Sequence, residues 1–417
     1  MMIKRDKYLN SLINRMHNGM IKVITGIRRS GKSFLIFEIF RNYLIDSGIS
    51  PNHIISIELD KFENEKYRTP AVILDFIKLQ ISDKDNYYIL LDEIQLLERF
   101  EEVLNSLLHI KNVDVYVTGS NSKFLSKDII TEFRGRGDEI HVYPLSFSEY
   151  MQIYNGNEYK GFAEYMVFGG LPLVATMNTI EQKQAYLKSL FETTYIKDVV
   201  ERHRIEKIDE LNSLINILAS AIGSLTNPTK IEATFKNEIK SEISSNTIRQ
   251  YIEFLKDAFL IREANRYDVK GRKYIGTPLK YYFEDVGLRN ARLGYRQSEE
   301  THLMENVIYN ELLVRGFAVD VGVVEKRKKN SNGTSKRVYY EIDFIANKGS
   351  RRYYIQSALS VSDEEKRNQE KTSLINVGDS FKKIIIVKDI INPWHDNDGI
   401  LTMSIFDFLL NENSLEL

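Results

Sequence analysis

Residues 26 to 33 read Gly26-Ile27-Arg28-Arg29-Ser30-Gly31-Lys32-Ser33, and a β-type run from Ile21 to Thr25 leads straight into them. Glycines in such a turn let the backbone wrap closely enough for its N–H groups to converge on phosphate oxygens. The apolar helical pattern that begins at Phe34 adds the partial positive charge of a helix N-terminus. Gly26, Ile27, Arg28, Arg29, Ser30, Gly31, Lys32, Ser33 and Phe34 are therefore the expected cradle for nucleotide phosphates. Lys32 is expected on the β- and γ-phosphates, and the hydroxyl of Ser33 on Mg²⁺.

A second acidic element fits the first. The apolar run Tyr87 to Leu91 ends in Asp92-Glu93, at the strand end where an open α/β sheet binds its ligand. Asp92 suits a metal-coordinating carboxylate, and Glu93 a base that orients and polarises water. Adjacent acids also cap helices, which is the plainer reading of the pair taken alone. The next run, Asp114 to Thr118, ends in Gly119-Ser120-Asn121-Ser122, where Ser120 or Asn121 would sense the terminal phosphate. Arg134 and Arg136 then stand before the last strand signal, either as a finger onto a neighbouring subunit's nucleotide or as a guanidinium answering a helix C-terminus.

The elements that must hold these groups are legible in the apolar period. Strand signals at Met20–Thr25, His53–Leu59, Tyr87–Asp92, Val113–Thr118 and Glu139–Val142 alternate with helical ones at Lys32–Ile45, Pro70–Ile81, Phe100–Ile110 and Lys123–Phe133. This is the pattern of a parallel α/β sheet covered by helices. With 417 residues the chain has room for several domains, and with no cysteine it has no thiol chemistry, disulfide framework or cysteine–zinc site. The charged N-terminus and the absence of a long apolar run predict a cytoplasmic protein with no membrane contact. The 57 basic and 58 acidic residues exclude a uniformly basic nucleic-acid coat, though not a local basic face.

Past residue 208 the text reads as helices at Leu211–Ala221, Lys230–Asn237 and Thr247–Phe259, then a β-hairpin, an order that suits a winged helix-turn-helix. Thr247, Arg249, Gln250 and Lys256 would face DNA from the third helix, with Lys270, Arg272 and Lys273 in the wing. Such modules also serve as protein-docking units. The charged run from Glu325 to Arg337 reads as an exposed hairpin loop centred on Asn332-Gly333, and as a candidate phosphate contact.

Taken together, these phrases resemble the AAA+-type P-loop ATPases of prokaryotes whose C-terminal half is a domain of unknown function. Pro144-Leu145-Ser146-Phe147-Ser148-Glu149-Tyr150, Phe168-Gly169-Gly170-Leu171-Pro172 and Tyr282 to Asn290 carry the likeness further along the chain. The resemblance implies an AAA+/ASCE-like core over residues 1–145 using ATP and Mg²⁺. It implies a helical lid over 146–207, a winged helix over 208–295 and a restriction-endonuclease-like α/β domain over 296–417. In that last domain Asp343 matches the first metal-binding acid, whereas Gln356 stands at the second and Ala358 at the lysine, a degenerate site without the charge and proton transfer that a nuclease needs. The expected function is an ATPase whose nucleotide state rearranges the C-terminal domains on DNA. The competing expectations are a nucleotide-gated switch that docks a protein partner, and an ATP-dependent nuclease. A homo-oligomer is compatible with all of them.

Overall fold

A computed structural model describes residues 3–119, 135–297, 299–329, 335–361 and 363–417. The chain divides into two compact units, Met1–Pro144 with Asp257–Phe259, and Leu145–Lys256 with Leu260–Leu417.

The first unit is built on five strands, β1 (Ile21–Thr25), β2 (Ile54–Glu58), β3 (Tyr87–Asp92), β4 (Val113–Thr118) and β5 (Gly137–His141). They pair in the order β2-β3-β4-β1-β5, all parallel. Alternate residues of the buried strands sort onto two faces. Val23, Ile57, Ile89, Leu91 and Val117 enter one core, while Ile24, Tyr88, Leu90 and Tyr116 enter the other with Leu35, Ile36 and Phe40. The expected helix from Lys32 is realised in three pieces, an α-turn at Lys32–Phe34, a π-helical stretch at Leu35–Phe40 and an α-helix at Arg41–Asp46. The wider π turn brings Leu35, Ile36, Ile39 and Phe40 onto the sheet together. The expected helix Lys123–Phe133 lies outside the described residues.

The second unit begins with helices and ends in an eight-stranded mixed sheet. Its strands are β6 (Ile261–Asp268), β7 (Lys273–Phe283), β8 (Ala318–Lys329), β9 (Ser335–Lys348), β10 (Arg351–Ala358), β11 (Lys382–Val387), β12 (Trp394–His395) and β13 (Leu401–Ser404). The order is β12-β13-β11-β10-β9-β8-β6-β7, so the hairpin β6–β7 is hydrogen-bonded into the same sheet as the strands after residue 318. The junction is a parallel pairing of Arg266 to Asp268 with Val321 to Val323. One expectation is corrected here. Most of the charged run 325–337 is ladder rather than loop, because β8 continues to Lys329 and β9 starts at Ser335. The sequence of those arms is polar at every position from 325 to 329, so no apolar alternation announced them.

The segments around Gly170 and Asp285 meet in this unit. Asp285 accepts hydrogen bonds from the N–H of Gly170 (2.8 Å) and of Leu288 (3.0 Å), and Asn290 donates to the carbonyls of Met166 (2.8 Å) and Val167 (2.9 Å). A Cβ on Gly287 would lie 2.0 Å from the Phe168 carbonyl oxygen, which is why glycine stands there. These contacts tie the end of the helix Glu158–Phe168 to the start of the helix Val286–Arg292. Among the described residues no helix is long and apolar enough to cross a membrane.

Candidate functional site

The loop after β1 has the backbone its sequence demands. Gly26 has φ +135°, and a Cβ there would sit 2.2 Å from the Val142 carbonyl oxygen. Gly31 caps the following helix in the left-handed region at φ 95°. Lys32 is buried and its Nζ donates to the carbonyls of Gly26 (2.9 Å) and Ile27 (3.0 Å), which holds the ammonium within the loop's own curve. Ser30 is buried as well, while Arg28 is half-buried and Arg29 and Phe34 are exposed. The loop is braced from behind by Arg5, whose guanidinium donates to the Ser30 carbonyl (3.0 Å) and the Tyr143 carbonyl (2.8 Å).

Strand order then decides what faces the loop. With β4 between β1 and β3, the end of β4 stands between the phosphate loop and the acid pair. The Thr118 hydroxyl donates to Asp92 Oδ1 and accepts from the Glu93 N–H at 3.0 Å, so one side chain holds the Asp92 carboxylate and the Glu93 backbone. Ser33 also hydrogen-bonds Asp92. Burial raises the Asp92 pKa above the usual carboxylate range, the hydrogen bonds from Thr118 and Ser33 oppose this, and the charges of Glu93 and Asp60 add to it. A buried carboxylate in that state is one that a cation would stabilise. Carboxylate oxygens of Glu58, Asp60 and Asp92 lie within 4.8 Å of one another. Together with the Ser33 hydroxyl they make an all-oxygen donor set of the kind that suits Mg²⁺. Glu93 itself has φ 49°, a left-handed backbone for a residue with a Cβ, and its carboxylate accepts from the Gln95 amide.

Ser120, Asn121 and Arg134 lie outside the described residues. Arg136 is exposed and immediately precedes β5, whose first residue pairs with Ile21 at the start of β1. It therefore lies at the opposite end of the strands from the loop, about 13–16 Å away along five residues of strand. Within its own chain Arg136 is not brought to Lys32.

In the second unit Thr247, Arg249, Gln250 and Lys256 fall on the helix Ser245–Asp257. Arg249 and Gln250 are exposed, whereas Lys256 is held between Glu253 and Glu263, each at 2.9 Å. Lys273 is exposed at the start of β7.

The nuclease-like residues are gathered differently from the sequence expectation. Gln356 Oε1 accepts from the Asp343 N–H at 3.2 Å, and Asp343 Oδ2 accepts from the Ser357 N–H at 2.8 Å. Ala358 is buried in an apolar cluster with Tyr354, Leu374 and Val387. The ammonium comes instead from Lys280 on β7, 2.8 Å from Glu305, 2.8 Å from Glu341 and 3.8 Å from Asp343. Tyr282 also donates to Glu305, at 2.5 Å. Burial works against a charged Lys280, but Glu305, Asp343 and Glu341 outweigh it and hold its pKa above the ordinary lysine value. Asp343 is pushed well above the usual range by burial and by Glu305, with Lys280 and the Ser357 N–H pulling the other way.

Sequence reasoning missed Lys280, Thr118 and Arg5. Thr118 carried a signal, as a hydroxyl residue ending a strand beside the acid pair; a single arginine ahead of the first helix carried none.

A parallel sheet in this order, with a phosphate loop after β1 and an acid pair ending β3, is the P-loop NTPase fold, followed here by a helical and α/β C-terminal region. A family model described as "AAA domain" matches residues 18–151, and one described as "Domain of unknown function (DUF8612)" matches residues 159–299. The chain belongs to the same family as an uncharacterized protein of Haemophilus influenzae, to which it is 34% identical over 415 residues, 98% of this chain and 99% of the other. An uncharacterized protein of Methanocaldococcus jannaschii is 29% identical over 385 residues, 88% of this chain and 81% of its own. Among solved structures, the Aeropyrum pernix ORC1 protein in complex with DNA is 13% identical and overlaps 70% of this chain and 93% of its own, with a TM-score of 0.27.

Proposed function

We propose that the chain is a Mg²⁺-dependent ATPase whose nucleotide state is coupled to DNA engagement by its C-terminal unit. The observation that carries the catalytic part is the single hydroxyl of Thr118 joining Asp92 and Glu93, with Ser33 bonded to the same Asp92. In this reading the N–H groups of residues 26–34 and the Lys32 ammonium hold the β- and γ-phosphates. Ser33 and Asp92 hold Mg²⁺, which when bound draws charge from the phosphate oxygens. Glu93 orients a water and takes its proton as the water oxygen attacks the γ-phosphorus and the bond to the bridging oxygen breaks, releasing ADP and phosphate. Ser120 or Asn121 acts as the sensor. Arg136, or Arg134, serves a neighbouring subunit's nucleotide in a homo-oligomer, a role that suits a residue remote from its own loop. The C-terminal segments 208–295 and 296–417 act as a winged helix and a nuclease-like domain without cleavage activity.

The test is ATP turnover in the presence of Mg²⁺ and of EDTA. Wild type should release phosphate only with the metal, K32A should lose nucleotide binding, and E93Q should bind ATP yet fail to turn it over. Equal turnover by wild type and E93Q would remove the hydrolytic reading. Tight ATP binding without turnover by wild type would favour the nucleotide-gated switch.

A further inference from the structure

The arms of the β8–β9 hairpin carry a charge arrangement that works against the hairpin itself. In the register Arg327 stands opposite Arg337. Like charges directly across a ladder destabilise it. Among the described residues Glu325 is the carboxylate within reach of the arginines, 3.5 Å from Arg337 and 4.0 Å from Arg327, so one acid is shared by two guanidinium groups. Arg327, Lys336 and Arg337 are exposed.

The same charge continues onto the neighbouring turn. Val269 donates to the Val323 carbonyl at 3.0 Å, and Lys270 Nζ to the Glu325 carbonyl at 2.9 Å, so the β6–β7 turn lies against the base of the arms. Lys270, Arg272 and Arg352 line an open groove of about 500 Å³ with Tyr267 and Phe381. Arg352 lies over both rings, at 5.5 and 5.4 Å. These cations suit contacts to duplex phosphates, which do not depend on base sequence. The helix Ser245–Asp257 offers less, because Lys256 is occupied by Glu253 and Glu263. A chain of net charge −1 has no overall attraction for a polyanion, so any binding must be local.

We infer that the basic ribbon of Lys326, Arg327, Lys336 and Arg337, whose charges alternate between the two sides of the arms, binds the phosphate backbone of duplex DNA together with Lys270 and Arg272, and that the helix Ser245–Asp257 is not the reading element. The inference rests on the DNA part of the function proposed above and assigns its surface. Phosphates between the arms relieve the repulsion that the register imposes, so the ladder gains in the complex what it lacks alone. Residues 330–334 are not part of the proposed face.

The experiment compares wild type, K336E/R337E and R249A by fluorescence anisotropy with a fluorescein-labelled DNA duplex over a salt series. K336E/R337E turns the like-charged pair Arg327–Arg337 into an opposite-charged one, so its melting temperature should equal or exceed wild type and its ATP turnover without DNA should be unchanged. Its DNA affinity should fall, and the slope of log affinity against log salt should shrink by about 2, one for each phosphate that no longer meets a cation. Over a fourfold rise in salt it then loses about tenfold less affinity than wild type does. R249A should bind within about twofold of wild type. Loss of binding in R249A with retention in K336E/R337E would overturn the assignment and leave DNA binding standing. No binding by folded wild type at low salt would overturn both, and a preference for single-stranded RNA over the duplex would overturn the choice of ligand.

Discussion

Replacing Lys280 by methionine removes the ammonium shared by Glu305, Glu341 and Asp343 while keeping most of the side-chain volume. Glu305 and Asp343 have side-chain exposures of 7% and 13%, and Glu341 of 35%, so two of the three acids lose their partner with little water to replace it. Breaking a buried ion pair from one side costs about 3–5 kcal/mol. For a cooperative unit of this size each kcal/mol moves the melting temperature by about 2–4 °C, so K280M should melt roughly 10 °C below wild type. The assays are thermal and urea unfolding, both followed by the emission of Trp394, the one tryptophan in the chain, which lies on β12 of the same sheet. The deficit should depend on pH with a definite sign. Asp343 already has a raised pKa and Lys280 opposes the rise, so losing the ammonium raises it further. A carboxyl whose folded pKa is raised costs stability above that pKa and is relieved as the pH falls toward its unfolded value near 4, so the deficit at about pH 8 should shrink by about pH 5. Adding E305Q removes one of the stranded charges and should recover about 1–2 kcal/mol. A deficit below about 1 kcal/mol, or one unchanged by E305Q at every pH, would show that the cluster is not a desolvated ion network.

Three further outcomes follow from the same structure. R5A strips a charged donor from the buried Ser30 carbonyl and the half-buried Tyr143 carbonyl, and should cost about 2–3 kcal/mol and weaken binding of a fluorescent ATP analogue, with partial recovery in R5K. T118V keeps the volume but takes the common hydroxyl from the buried Asp92 carboxylate and the Glu93 N–H, and should lower ATP turnover by about 10²-fold and stability by about 1–3 kcal/mol, as read by phosphate release and thermal unfolding. Burial pushes Asp285 up to about 6 against three backbone N–H groups. The folded chain therefore keeps a proton there that the unfolded chain gives up near pH 4, and stability falls by about 3 kcal/mol as the pH rises from about 4 to 6. Unfolding free energies of wild type and D285N from urea titrations across that range should diverge by this amount, since asparagine does not titrate.

The first unit was legible because its information is local. A loop whose glycines have one workable backbone, flanked by β-branched runs, specifies β1, the phosphate turn and the helix start within about fifteen residues. Asp92 and Glu93 followed from a strand end, and the structure brings Asp92 to Ser33. The second unit was legible in pieces only. Apolar period located the β6–β7 hairpin, but it holds no information on which strands pair. The parallel contact of β6 with β8 joins Arg266 to Val321 across the intervening helix Glu300–Val314. That pairing is also what carries Lys280 to Asp343, so a substitute for the lysine absent at Ala358 was invisible at the level of motif spacing.

The β6–β8 pairing also sets an order of events during synthesis. At about 5–20 residues per second the ribosome needs roughly 3–10 s to pass from Arg266 to Val321, and for that time the β6 edge has no partner on its far side. Arg262, Glu263, Arg266 and Asp268 are spaced along that strand, charges of the kind that discourage a bare edge from pairing with another nascent chain. A fragment ending near residue 295 would leave the edge bare permanently, so the hairpin should be studied with the strands that follow it rather than as an excised module.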